Sequence, residues 1–173
     1  AATAPTPAAA APPPRPALVA PPAVAFLRFV RLTPDTELKN RVETSALDNF
    51  LKRVQAAVSA QLARGEDRRG RDLAVEVALL PDSRVEVQVH ARPPLPARER
   101  EALRSIVRDI PPARVKEIPI GVLAFFTVGG GAGRGPYGDT SFLAARRTAF
   151  LKTYARLFQI AWEAMIEKPP RDT

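Results

Sequence analysis

The chain has no cysteine and only one histidine, His90, among its 173 residues. Without thiols there is no disulfide framework, no thiolate zinc site and no Cys nucleophile. With a single imidazole, a metal site would have to be built from carboxylates alone. Aromatic residues make up 6% of the chain, and no segment interleaves them with basic residues as a base-stacking platform would require. No apolar run approaches the roughly 20 residues that a membrane-spanning helix needs.

Proline and positive charge are plentiful. There are 19 prolines, and 26 Lys and Arg against 18 Asp and Glu give a formal charge of +8. Such a balance attracts nucleic acid, anionic lipid or acidic protein. Here, however, the positive charge is mostly arginine scattered between acids, the pattern of a solvated surface. Residue 1 is Ala, not Met, which leaves room for an upstream signal, anchor or transit segment.

Prolines concentrate at the start. Residues 1–23, "AATAPTPAAAAPPPRPALVAPPA", predict an extended, semi-rigid spacer reaching about 3.1 Å per residue. "VAFLRFVRL" at 24–32 alternates apolar and other residues, as a strand or anchoring segment does. "TPDTE" at 33–37 carries helix-start signals, with Thr33 able to cap and Pro34 suited to the first turn. Leu38, Val42, Leu47, Leu51, Val54, Val58 and Leu62 follow at helical spacing, and Gly65 is a stop.

"EVALLPDSRVEVQVHA" at 76–91 predicts a hairpin. Leu73, Val75, Val77 and Leu79 share one face, and Val85, Val87 and Val89 continue the alternation after the turn. Glu86, Gln88 and His90 are polar, so one side of the sheet is expected to be buried and the other wet. Residues 97–110 form a second amphipathic helix, stopped by Pro111-Pro112. "VKEIPIGVLAFFTV" at 115–128 is a third strand. Pro119 inside it cannot donate to a ladder, which points to an edge position. A Gly-rich loop at 129–139 precedes a last helix over 140–167, with a wide stripe including Leu143, Phe150, Tyr154, Leu157, Phe158, Ala161, Trp162, Met165 and Ile166.

Signs of catalysis are thin. Gly133 to Gly138 match G-x-G-x-x-G, but no second parallel strand completes a dinucleotide-binding unit. His90 sits on the polar face near a strand end, where an exposed or locally hydrogen-bonded imidazole is expected instead of a general base. Glu66-Asp67 and Asp35/Glu37 lie in a loop and at a helix start, where solvation and the helix dipole account for them. No nucleophile, base and oxyanion donors come together. The expectation is a non-enzyme without cofactor or metal.

The order helix, strand, tight turn, strand, helix, Pro-rich corner, strand, after a Pro/Ala spacer, resembles the C-terminal domain of the TonB/TolA periplasmic energy transducers. The resemblance covers roughly residues 36–128. It rests on "LAVEVALLPDSRVEVQVHARP", the helix "AREREALRSIVRDI", the corner "IPPARV" and the strand "IGVLAFFTV". Ser83 stands where that family usually has glycine, and the loop and helix beyond 128 extend past its usual end. The resemblance implies an α+β fold, a three-stranded antiparallel sheet with helices on one face. The division would be a spacer and anchoring segment at 1–32, the domain at 33–128, the Gly-rich loop at 129–139, and a C-terminal helix and tail at 140–173. It also implies a protein-binding role in the periplasm or envelope, linking an inner-membrane motor to outer-membrane protein.

Under that resemblance the third strand is the docking edge, with Ile118, Ile120, Val122, Ala124 and Phe126 as partner-binding residues for an added strand. The competing expectation is that segment 24–32 or the last helix covers this edge. A second functional reading is a structural subunit of a large assembly, RNA-containing or organellar. The arginine content and the Ala/Pro arm motivate it, and its phosphate contacts would be made by shape.

Overall fold

A computed structural model describes residues 24–33, 42–65, 70–130 and 140–159. The Pro/Ala stretch 1–23, the helix-start residues Pro34, Asp35 and Glu37, the acidic pair Glu66-Asp67, loop residues 131–139 and the apolar positions Ala161, Trp162, Met165 and Ile166 lie outside them.

The expected hairpin forms from strands β2 (Arg71–Leu79) and β3 (Val85–Arg92), paired antiparallel. Leu73 faces Ala91, Val75 faces Val89, Val77 faces Val87 and Leu79 faces Val85. A period of two on both strands puts all of these on one face. In the turn, the Leu80 N–H donates to the Arg84 carbonyl at 2.9 Å and the Ser83 N–H to the Leu80 carbonyl at 3.0 Å. Asp82 closes it by accepting from the Arg84 N–H at 3.2 Å.

Strand β1 (Val24–Arg31) pairs antiparallel with β4 (Ile120–Val128), and β4 pairs antiparallel with β2. The result is a four-stranded antiparallel sheet in the order β1-β4-β2-β3. The α+β class agrees with expectation, but the sheet has four strands instead of three. Segment 24–31 is the added strand. Its alternation puts Phe26 against Phe126 edge-to-face, with centroids 5.4 Å apart.

Helices α1 (Thr44–Ala63) and α2 (Ala97–Arg108) cover one face. Leu47, Phe50, Leu51, Val54, Val58 and Leu62 recur at helical spacing along α1 and are buried with Leu103 and Val107 of α2. They pack against Leu73, Val75, Val77, Ile120, Val122 and Phe126 of the sheet. Burying each such side chain contributes about 1.5–3 kcal/mol before conformational entropy is counted.

The second face differs from expectation. Helix α3 (Thr140–Thr153) lies on it, and Phe150 joins Ala74, Ala78, Leu123, Phe125 and Leu32 in a second apolar cluster. Consequently all nine residues of β2 are buried. Small residues permit the approach. A Cβ on Gly121 would stand 2.7 Å from Phe150 Cε2 and 3.0 Å from Leu32 Cβ. The sheet is therefore a middle layer, with α1 and α2 on one side and α3 on the other.

Candidate functional site

The strand expected at the edge is interior. Ile120, Val122, Ala124 and Phe126 all point into the core beneath α1 and α2, and Ile118 is buried just ahead of the strand. One flank of β4 is taken by β2 and the other by β1, from Val24 opposite Val128 to Arg31 opposite Val122. Pro119 misled because it precedes the first ladder residue, Ile120, so its missing N–H costs the sheet nothing.

Thr33 fixes this arrangement. Its hydroxyl donates to the Pro119 carbonyl at 3.2 Å and accepts from the Gly121 N–H at 3.0 Å, while the Leu32 N–H reaches the Gly121 carbonyl at 2.8 Å. The hydroxyl expected to cap a helix instead ties the end of β1 to β4. Of the two alternatives for the β4 edge, cover by segment 24–32 is the one observed.

The sheet's outer edges, among the described residues, are β1 and β3. They are unlike. In β1 the register slips between Phe26 and Arg28, leaving Leu27 without a ladder position and 59% exposed. β3 runs without a slip. Because Leu80 donates to Arg84, antiparallel alternation turns the main-chain groups of Glu86, Gln88, His90 and Arg92 toward β2. Those of Val85, Val87, Val89 and Ala91 point away from the sheet. Their side chains lie on the α1/α2 face, and Val85, Val89 and Ala91 are only partly buried there.

The polar residues of β3 meet α3. Arg146 donates from Nε to Glu76 Oε1 at 2.6 Å and from Nη2 to Glu76 Oε2 at 2.8 Å, and Nη2 also reaches Gln88 Oε1 at 3.0 Å. The Tyr154 hydroxyl donates to Glu86. His90 packs edge-on against Phe142 with centroids 5.6 Å apart, and its Nε2 stands 3.8 Å from Glu76 Oε1, beyond a hydrogen bond. Burial pushes the Glu76 carboxyl up, but neighbouring His90 and the bonds and charge of Arg146 outweigh it and hold the group below its ordinary value. Burial, reinforced by Glu86, pushes the Tyr154 phenol up.

A carboxylate held low by a guanidinium is a poor base, and a phenol pushed up is a poor acid near neutral pH. This cluster clamps α3 to the sheet. His90, expected to be exposed or locally hydrogen-bonded, is partly covered by Phe142, and its Nε2 has no hydrogen-bond partner among the described residues.

Between the end of α1 and the start of α2 lies a concavity of about 320 Å³, lined by Arg64, Arg71, Arg98 and Glu99. Arg71 is committed there, with Nε donating to the Pro93 carbonyl at 2.8 Å and Nη2 to the Pro94 carbonyl at 3.2 Å. Among the described residues no group of three or more His, Cys, Asp and Glu could hold a metal ion, and no helix is long and apolar enough to cross a membrane. The G-x-G-x-x-G segment lies outside the described residues. No family model, curated protein or solved structure matches the chain.

Proposed function

We propose that this chain is a non-catalytic protein-interaction domain of the bacterial cell envelope, of TonB/TolA type, which takes an outer-membrane or periplasmic partner as an added strand. The outer edge of β3 carries the reading. Its odd-numbered residues turn a row of N–H and C=O groups away from the sheet, beside half-covered Val85, Val89 and Ala91. Such an edge gives affinity through the main chain and selectivity through alternate side chains. The docking strand is thus β3, since β1 covers the flank of β4 and its own outer edge is interrupted by the register slip at Leu27.

The order α1-β2-β3-α2-β4 supports the family likeness, and the spacer-like Pro/Ala stretch of the sequence supports the envelope setting. Strand addition also suits a transducer, because several ladder bonds share a pull.

Hydrogen exchange on the full chain, alone and with solubilised outer-membrane protein of the source organism, tests this. Binding should slow exchange at the amides of Val87, Val89 and Ala91 and survive added salt. Partner binding that leaves those amides unchanged overturns strand addition at β3. A steep loss of binding with salt would favour the assembly-subunit reading with an RNA partner.

A further inference from the structure

Only one of the two terminal strands is built against being extended. β1 has the register slip at Leu27, a bulge-like device that blunts an edge. β3 pairs eight consecutive residues with β2 and contains no proline, lysine or bulge. It leaves a hydrogen-bonding row unpaired beside a half-covered apolar strip among the described residues.

We propose that the occupant of this edge is a second copy of the chain, β3 pairing antiparallel with β3 about a two-fold axis through Val89. This rests on the strand-addition reading and names what holds the edge when no envelope partner does, a self-pairing that such a partner must displace. Outward main-chain groups belong to odd-numbered residues, so a paired copy must set odd opposite odd, which keeps apolar side chains on one face. With the axis at Val89, Val87 faces Ala91, Gln88 faces His90 and Glu86 faces Arg92, the last pair occurring twice by symmetry.

Neighbouring registers are worse. An axis at Gln88 sets Arg84 opposite Arg92 twice. Axes at Val87 or His90 form no opposite-charge pair within β3 and shorten the ladder. The Val89 axis alone matches charge without a like-charge contact. Glu86 and Arg92 are both exposed, and they would meet at a non-hydrogen-bonded position, where side chains lie closest. Glu86 already accepts from Tyr154, and an ionised carboxylate has lone pairs to accept from Arg92 of the second copy as well.

Sedimentation of the full chain over a dilution series tests the proposal. The mass should rise from one chain to two with concentration. Glu86→Arg and Arg92→Glu should each weaken the dimer about tenfold, two favourable pairs becoming two repulsive ones. The double variant Glu86→Arg/Arg92→Glu should restore it. Circular dichroism checks folding, and Arg92→Glu avoids disturbing Tyr154.

A wild-type chain that stays monomeric at every concentration overturns the proposal, as does a dimer indifferent to both reversals. If a monomeric chain still shows partner protection at Val87, Val89 and Ala91, strand addition stands without self-pairing. A charge-sensitive dimer whose edge no envelope partner ever protects supports self-pairing and removes the transducer role.

Discussion

Arg146 and Glu76 lie 70 residues apart in sequence, yet the guanidinium grips both carboxylate oxygens, at 2.6 and 2.8 Å. Glu76 sits mid-strand in β2 with its side chain only 8% exposed, and Arg146 is 20% exposed. The pair joins α3 to the sheet face opposite α1 and α2.

Removing one member of a buried pair leaves the other uncompensated. Arg146→Ala strands the Glu76 charge and should cost about 3 kcal/mol; Glu76→Gln keeps a hydrogen-bonding shape and should cost less. Urea unfolding of both variants checks the order. A Glu76→Gln variant as stable as wild type would mean that the charge itself contributes nothing, and one that loses as much as Arg146→Ala that the charge carries the whole effect.

The same pair sets an acid limit. Glu76 is held below its ordinary 4.5, with burial opposing and His90 and Arg146 favouring the charged form. The unfolded chain therefore takes up this proton at a higher pH than the folded one. The pair's stabilisation is complete above 4.5 and is lost as pH falls through the lower folded value. The urea midpoint should decline in acid more steeply for wild type than for Glu76→Gln, and parallel declines would remove Glu76 from the cause.

Much of the fold is legible in the residues. Two-residue periodicity in 73–89 places the hairpin, and Leu47 to Leu62 at helical spacing place α1. The cover on the second face is not legible. Glu76, Gln88 and His90 alternate as residues facing water do, and nothing local says that Arg146 and Tyr154 arrive from a distant helix to bond with Glu76, Gln88 and Glu86. Nor is the place of β1 legible, since ladder partners are chosen by tertiary packing. Of the candidate site, the alternation of β3 marks its residues only as sheet. Their signal was an absence, a terminal strand without proline, lysine or bulge.

At Gly121 the sheet and Phe150 of α3 are in close contact. An added Cβ would meet Phe150 at 2.7 and 2.9 Å and Leu32 at 3.0 Å. Gly121→Ala should therefore destabilise the fold by about 1–3 kcal/mol through overpacking. Phe150→Leu should cost less in the Gly121→Ala background than alone, because it opens space at the clash. A double-mutant cycle by thermal unfolding measures this, and strict additivity would mean that α3 shifts away freely.

The hairpin turn holds a strained residue. Ser83 adopts φ 67°, a left-handed conformation that costs a residue with a Cβ about 1–2 kcal/mol. Glycine escapes that cost but gives the unfolded chain more freedom, which takes back roughly 0.5–1 kcal/mol. Ser83→Gly should thus stabilise by a few tenths to about 1 kcal/mol. Ser83→Val, β-branched at the same φ, should destabilise. Because the turn fixes which residues of β3 face outward, a loosened turn should also speed amide exchange at Gln88 and His90, whose N–H groups bond to β2. Unfolding midpoints that order glycine above serine above valine support a strained turn. A serine as stable as glycine would show that the hydrogen bonds of Leu80, Ser83 and Arg84 already offset the strain.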